Sequence, residues 1–268
     1  MEEPILGHDE VVSCEWETRR KYSGETGIGY SADTVSRRPI AGSDDYFDRL
    51  LEIRLALARE LARDANVLDV GCATGIHLFD LAPGFKRAIG LDFSFPLVKR
   101  ALETRTQMAA NVDFVEGNAR CRPFCDGSFD FIYSFSSLYY MPNVGEVIRE
   151  ICRVLAPGGR CLIELGNSRS LNAIVTDAYP ELARSFHIPV SQMNKALSDA
   201  GLKAVAHRAF QILPYWGERP RRLDFWLHPA WKRRFEKCLA GRMIDEWICS
   251  FPWFRNFAFR HVFVCVKK

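Results

Sequence analysis

The stretch VLDVGCATG, residues 67–75, decides the fold. A short apolar run carries one acidic residue, Asp69, and leads into a turn that contains Gly71 and Gly75. Small residues in such a turn let the backbone approach a ligand closely and let the next helix begin near the strand. In open α/β sheets, ligands bind at the carboxyl ends of the strands. The stretch therefore predicts a strand–turn–helix unit with a ligand site at the turn.

A second acidic residue follows at the end of the next apolar run. Asp92 closes the stretch RAIGLD, residues 87–92. A carboxylate at this place can accept hydrogen bonds from both ribose hydroxyls, which favours a nucleoside without a 2′-phosphate. The dinucleotide fingerprint G-x-G-x-x-G is broken by Ala73, Thr74 and Ile76, so a Rossmann dehydrogenase is the more distant alternative. The Asp69 carboxylate also suits a positively charged sulfonium amino acid better than a phosphate.

Outward from this unit, apolar runs alternate with segments of helical periodicity. The runs at 66–70, 87–92, 112–116, 129–134, 160–165 and 203–210 are predicted strands. The predicted helices are 46–65, one from about 76, 96–108, 144–155 and 191–201. The last stretch, 257–267, alternates with a period of two and fits an amphipathic or edge strand. This alternation is typical of a parallel sheet covered by helices on both faces.

Composition narrows the class of protein. The formal charge of +3 over 268 residues is too small to indicate a nucleic-acid partner. No apolar run approaches the ~18 residues of a membrane span, and the N-terminus does not read as a signal peptide. Nine scattered cysteines indicate reduced thiols, so we expect a cytoplasmic protein. Cys121 and Cys125 fall short of the ligand set of a metal site, so no metal is expected.

Five segments resemble, in their sequence and in their order along the chain, the motifs of the class I S-adenosylmethionine-dependent methyltransferases, in the branch that acts on small molecules, quinones and lipids. The segments are 69–75, 90–94, 116–119, 126–130 and 153–159, and the resemblance spans roughly residues 46–210. It implies S-adenosylmethionine as the cofactor and S-adenosylhomocysteine as its product. It also implies a Rossmann-like, doubly wound α/β fold whose seven-stranded, mostly parallel sheet has an antiparallel last strand.

The same resemblance assigns the cofactor site residue by residue. Asn118 stands where the family usually has an aspartate, and its carbonyl can still accept a hydrogen bond from the adenine amino group. Phe93 is expected beside the adenine, and Ser134 along the methionine part of the cofactor. The predicted cofactor-binding residues are Asp69, Gly71, Ala73, Gly75, Asp92, Phe93, Asn118, Ala119 and Ser134.

The acceptor side is less specified, because the cofactor activates the methyl group and the protein mainly aligns the acceptor. In the family, the loop after the fourth strand contributes to this side, which puts Tyr139 and Tyr140 forward as site residues. His187 and His228 are candidate bases, and Glu164 is a third. Core packing of the tyrosines and structural roles for the histidines remain the alternatives.

The chain divides into an extension and one domain. Residues 1–45 are polar and read as an N-terminal lid over the cofactor, while 46–268 form the methyltransferase domain. Within it, 214–256 is an aromatic and basic insertion expected to form part of the acceptor site. Three interpretations of the insertion stay open: a satellite hydrophobic cluster, a lid that holds an apolar anionic acceptor, and a membrane-surface patch.

The predicted function is methyl transfer to an O, N or C atom of a small-molecule acceptor, such as a natural product, a sugar or a lipid-linked metabolite. Aminopropyl transfer on the same fold is one alternative. A catalytically silent, cofactor-binding assembly protein is another. We expect no integral membrane association, and peripheral membrane contact and a homodimer stay open.

Overall fold

The computed structural model describes residues 6–23, 45–108, 111–121, 123–179, 184–215 and 218–268. Seven strands form one sheet: β1 Asn66–Val70, β2 Arg87–Asp92, β3 Val112–Glu116, β4 Phe129–Ser134, β5 Leu155–Gly166, β6 Leu202–Phe210 and β9 Arg260–Lys267. A two-stranded hairpin, β7 Cys238–Leu239 and β8 Arg242–Met243, lies in the insertion. All the predicted strands are present.

The sheet has the order β3-β2-β1-β4-β5-β9-β6. Strands β1 to β5 pair in parallel, and β9 runs antiparallel to both of its neighbours, β5 and β6. The prediction of a mostly parallel sheet with an antiparallel last strand is confirmed. The alternative of an edge strand is wrong, because β9 is inserted between two strands and its central residues, such as Phe263, are buried.

Helices cover both faces of the sheet. They are α1 His8–Ser23, α2 Asp45–Leu61, α3 Ile76–Leu81, α4 Phe95–Met108, α5 Val144–Val154, α6 Leu171–Asp177, α7 Val190–Asp199, α8 Asp224–Leu227, α9 Pro229–Phe235, α10 Ile244–Ser250 and α11 Pro252–Arg255. Within the described ranges, none of them combines the length and the apolar character needed to cross a bilayer.

Two hydrophobic clusters lie on opposite faces of the sheet. On one face, α2 buries Tyr46, Leu50, Ala58 and Ala62, which are spaced four residues apart or a multiple of four. On the other face, α5 buries a stripe that includes Ile148. The first face also carries the site described below.

Helix α1 was not predicted from the sequence. Its buried stripe is narrow and chemically mixed, consisting of Val11, Cys14 and Thr18. Polar contacts add to this stripe: Arg19 pairs with Glu116, and Glu15 pairs with Arg120 at 2.7 Å. Because the helix is held by these partners, its sequence has little apolar periodicity, which explains why residues 1–45 were predicted as an extension without a helix being identified.

A buried carboxylate, Asp245, anchors the insertion through four hydrogen bonds, and the buried Glu246 beside it pairs with Arg208 of β6. Asp245 on α10 accepts hydrogen bonds from Tyr46 Oη at 2.7 Å, Tyr215 Oη at 2.8 Å, Gln211 N at 2.7 Å and Ile212 N at 3.0 Å. These bonds tie α10 to α2 and to the end of β6. Away from the anchor, large aromatic side chains are exposed, namely Phe225, Trp226, Trp247, Phe251, Trp253, Phe254 and Phe257. Trp216 lies outside the described residues.

Candidate active site

The turn after β1 has the backbone geometry that its glycines predict. Gly71, Ala73 and Gly75 have φ values of 79°, 49° and 76°, in the left-handed region. A Cβ on Gly71 would overlap the Ser137 side chain, and one on Gly75 would overlap the Phe114 ring. Glycine is therefore required at both positions for steric as well as conformational reasons.

Asp92 holds this turn in place from the neighbouring strand. Its Oδ2 accepts a hydrogen bond from Ala73 N at 2.9 Å, and its Oδ1 accepts one from Ser94 N at 2.9 Å. Each carboxylate oxygen can accept a further bond, so ribose hydroxyls can share the group with the backbone. Burial raises the pKa of Asp92, while the backbone hydrogen bonds lower it. Phe93 is half-buried beside it.

Asp69 is a buried carboxylate beneath the turn. Burial, together with the charge of Asp92, raises its pKa to about 8, although the adjacent Tyr133 lowers it. The Tyr133 hydroxyl is buried beside the Asp69 carboxylate. No cation in the described part of the chain pairs with Asp69 or Asp92. Neither carboxylate is therefore neutralised by an ion pair with a described residue.

The remaining predicted cofactor residues border the same edge of the sheet. Ser134 is fully buried, with its Oγ 2.8 Å from Val70 O and 2.7 Å from Ser137 Oγ, so it joins the ends of β4 and β1. The Asn118 Oδ1 accepts a bond from Arg120 N at 2.9 Å and keeps capacity for a second. Ala119 packs against the hydrophobic cluster under α5.

On the acceptor side, the structure brings Tyr139, Tyr140 and His187 together. The Tyr139 ring centre lies 4.7 Å from that of Tyr140 and 5.5 Å from that of His187. His187 is buried against Gly166 and Phe259. Burial, with a smaller effect of Arg260, lowers the pKa of His187 to about 4, so its imidazole is neutral at physiological pH.

His228 does not belong to this cluster. It is exposed, and its Nδ1 accepts a hydrogen bond from Ala230 N at 3.2 Å, which caps α9. A ring nitrogen engaged in a surface cap has no acceptor beside it to deprotonate. The placement argues against the predicted base at this position.

The surroundings of Glu164 also argue against the predicted base at this position. Burial raises the pKa of Glu164, but the guanidiniums of Arg54 and Arg260 outweigh this effect and bring it down to about 2. Sequence reasoning missed both arginines. The burial of Arg54 could have been predicted from the sequence. Buried positions of α2 recur every four residues, and Arg54 occupies one of them between Leu50 and Ala58. A charged residue at such a position is rarely buried without a partner.

Known proteins match this chain in sequence and in fold. A family profile described as "Methyltransferase domain" matches residues 68–163. A demethylmenaquinone methyltransferase of Lactiplantibacillus plantarum is 41% identical over 107 residues, which cover 37% of this chain and 44% of that protein. The O-methyltransferase rstn1 of Aspergillus nomiae is 30% identical over 198 residues, which cover 72% of this chain and 83% of that protein. The chain belongs to the S-adenosylmethionine-dependent methyltransferase family.

The matched region covers only part of some relatives, and the fold is shared with a protein named for another function. The chain spans less than half the length of the demethylmenaquinone methyltransferase that it matches. The [4+2]-cyclase SpnF shares the fold, with a TM-score of 0.62, 19% sequence identity, and coverage of 95% of this chain and 96% of that one. The fold is therefore shared with a protein named for a different reaction, so the chemistry has to be argued from the residues of the site.

The residues present fit S-adenosylmethionine. The cofactor carries a sulfonium and an ammonium group, and Asp69 is a buried carboxylate whose raised pKa a nearby cation would lower. The buried Tyr133 hydroxyl next to Asp69 offers a further polar group. Gly71 and Gly75 keep the turn free of side chains, and Asp92 can take the ribose hydroxyls.

Proposed function

We propose that this chain transfers a methyl group from S-adenosylmethionine to an O, N or C atom of a small-molecule acceptor. The observation that carries the proposal is the glycine turn closed by Asp92 above the uncompensated carboxylate of Asp69. When bound, the cofactor supplies an activated methyl group. The residues of the chain then have three tasks: to bind, to align the acceptor and to exclude water.

Tyr139, Tyr140 and His187 are proposed to form the acceptor wall. They lie at the carboxyl ends of β4 and β5, the edge at which ligands bind in such sheets. A neutral His187 can accept a proton or a hydrogen bond from an acceptor hydroxyl. Relatives named for demethylmenaquinone methylation and for O-methylation support a small-molecule acceptor with apolar parts.

The N-terminal segment is proposed as a lid over both halves of the site. The Tyr22 carbonyl accepts a hydrogen bond from Ser94 Oγ at 3.0 Å, beside Asp92. The Tyr22 ring meets the Tyr140 ring with centres 5.6 Å apart. One residue of α1 thereby touches the ribose side and the acceptor side. The other parts of the predicted lid 1–45, residues 1–5 and 24–44, lie outside the described residues.

The insertion is proposed to complete the acceptor site through Gln211. The backbone N–H of Gln211 donates to the Asp245 anchor of the insertion at 2.7 Å. Its side-chain Oε1 accepts a hydrogen bond from Arg260 Nε at 2.9 Å, on the acceptor side. This link favours the interpretation of 214–256 as part of the acceptor wall.

Calorimetric titration tests the proposal. The purified chain is titrated with S-adenosylhomocysteine, S-adenosylmethionine, decarboxylated S-adenosylmethionine and NAD. Micromolar binding of the first two alone is expected, followed by transfer of a labelled methyl group in a screen of phenols, quinols, amines and carboxylic acids. Preferential binding of the decarboxylated compound or of NAD would replace the proposed reaction. Binding of none of them would favour the silent assembly protein.

A further inference from the structure

Two arginines and one glutamate form a buried ionic cluster on the acceptor side. Glu164 is fully buried at the end of β5, and its Oε2 accepts a hydrogen bond from Arg54 Nη1 at 2.5 Å. The Glu164 Oε1 accepts from Arg260 Nη1. The Ser136 hydroxyl accepts from Arg54 Nη1 at 3.0 Å and from Arg260 Nη1 at 2.9 Å. We call these four residues the arginine cluster.

The charges of the arginine cluster do not balance. In the described part of the chain, Glu164 is the sole carboxylate paired with Arg54 or Arg260, which leaves one positive charge uncompensated. Arg54 Nε is also buried, and no described residue accepts its hydrogen bond. Gln211 accepts from Arg260 Nε but adds no charge. A buried cation without a counter-ion and a buried N–H without an acceptor are both costly, so an anionic partner would be stabilising.

The arginine cluster lies beside the proposed cofactor half of the site. Tyr133 on β4 pairs with Asp69 on one side and with Leu162 on the other, and Glu164 follows Leu162 by two residues on the same face of β5. The cluster is not closed off, because Ser136 is half-buried and the Arg260 side chain keeps 15% of its surface exposed. Arg260 also contacts the Tyr139 hydroxyl. An acceptor bound against Tyr139 would therefore reach it.

We propose that the arginine cluster binds a carboxylate group of the acceptor. The inference rests on the proposed function, and it names the chemical class of the substrate. One uncompensated positive charge matches a monoanion, and a carboxylate presents two oxygens in the plane that guanidinium groups recognise. The two halves of the site then have opposite charge preferences, the Asp69 half for a cationic cofactor and the cluster for an anionic acceptor.

A purely structural role for Arg54 makes a different prediction. If Arg54 serves only to neutralise Glu164, then Arg54→Gln should lower the stability of the ligand-free protein and leave carboxylate binding unchanged. If the cluster binds an anion, Arg54→Gln removes the uncompensated positive charge and leaves the Arg260–Glu164 pair with a net charge of zero. The variant should then keep its stability and lose its preference for carboxylates. Arg59→Gln, on the same helix at an exposed ion pair, is the matched control.

The experiment measures binding of decanoate and of decan-1-ol, which differ only in the charged end, in the presence of S-adenosylhomocysteine and at constant ionic strength. Wild-type protein and Arg59→Gln are expected to bind decanoate about 10-fold more tightly than the alcohol, and Arg54→Gln to bind the two equally. No preference in the wild type, or a preference retained in Arg54→Gln, would overturn the inference.

A second measurement does not depend on the shape of the acceptor. Acetate is small enough to probe the cluster alone, and acetamide is its neutral control. Glu164→Gln adds a second uncompensated charge, so acetate should raise the melting temperature of this variant more than that of the wild type. An equal response of both proteins to acetate and acetamide would contradict the proposal.

Binding of S-adenosylhomocysteine is recorded for every variant. If the wild type fails to bind it but still responds to acetate, the proposed function fails and the anion site stands. If it binds and no carboxylate preference exists, only the anion site fails.

Discussion

The Asp92 carboxylate lies 2.9 Å from the backbone N–H of Ala73, so a side chain at the end of β2 fixes the turn that follows β1. The same carboxylate accepts from Ser94 N at the start of α4. The residue predicted from sequence to bind a ribose therefore also shapes the loop that would receive the rest of the ligand. Replacement of Asp92 should therefore weaken ligand binding in two ways, by removing the ribose contact and by loosening the turn after β1.

Asp92→Ala should weaken the binding of S-adenosylhomocysteine by about 1–3 kcal/mol, because hydrogen bonds to a charged group are lost. Calorimetry on the folded variant measures the change. Asp113→Ala removes an exposed carboxylate that pairs with Arg105 at 2.8 Å outside the site, and it should leave the affinity unchanged. Equal affinities of the Asp92 variant and the wild type would refute the ribose assignment.

Gly71→Ala should lower the free energy of unfolding by about 2–4 kcal/mol, because a left-handed alanine is strained and its Cβ overlaps Ser137. Urea unfolding measures the loss. The substitution should cost less in a Ser137→Gly background, where the overlap is removed and the backbone strain remains. Gly84→Ala, at a site with no atom within 4 Å of the new Cβ, is the control. The same cost in both backgrounds would show that Ser137 is not the obstacle.

Asp245→Ala should lower the free energy of unfolding by at least about 3 kcal/mol, because four buried donors lose their acceptor. Tyr46→Phe, which removes one of these bonds, should cost about 1 kcal/mol. Chemical denaturation gives both values, and hydrogen exchange should show the loss of protection in 238–255 first. Uniform loss of protection over the whole sheet would contradict the role of Asp245 as a local anchor.

The His207–His261 pair should contribute a loss of stability as the pH drops from about 6.5 towards 4. His207 Nε2 and His261 Nδ1 lie 2.8 Å apart. Burial, followed by nearby positive charge, lowers the pKa of His207 to about 4 and that of His261 to about 3. In this window the two imidazoles take up protons in the unfolded chain but not in the folded chain, so their contribution to the free energy of unfolding decreases with falling pH.

The measurement is urea unfolding at several pH values between 7.5 and 4.5. His207→Gln should reduce the dependence on pH, since one excluded proton is removed. His228→Gln, at the exposed cap of α9, should leave the dependence unchanged. Identical pH profiles for His207→Gln and the wild type would rule out the pair as a source of acid instability.

The cofactor half could be predicted from the sequence because its determinants are close together along the chain. Asp69 near the end of β1 is followed within six residues by Gly71 and Gly75, whose left-handed backbone is a local property, whereas the steric need for glycine there comes from the distant Ser137 and Phe114. Asp92 ends the next strand, and parallel neighbours place both strand ends at one edge of the sheet. Strand order could not be predicted for β9, whose alternation suits an edge position as well as the central position that it occupies.

The sequence by itself determined the alternation of strands and helices, the glycine turn and its acidic neighbours, because these depend on periodicity and on local backbone conformation. Only the tertiary structure decided which distant charges meet. Arg54 and Glu164 are 110 residues apart, and Arg260 comes from the last strand. Packing of α2 against the sheet and insertion of β9 beside β5 bring the three together. Coulombic interaction depends on distance in space, so the approach of Arg54 and Arg260 makes Glu164, a predicted base, the counter-ion of two arginines in spite of its burial.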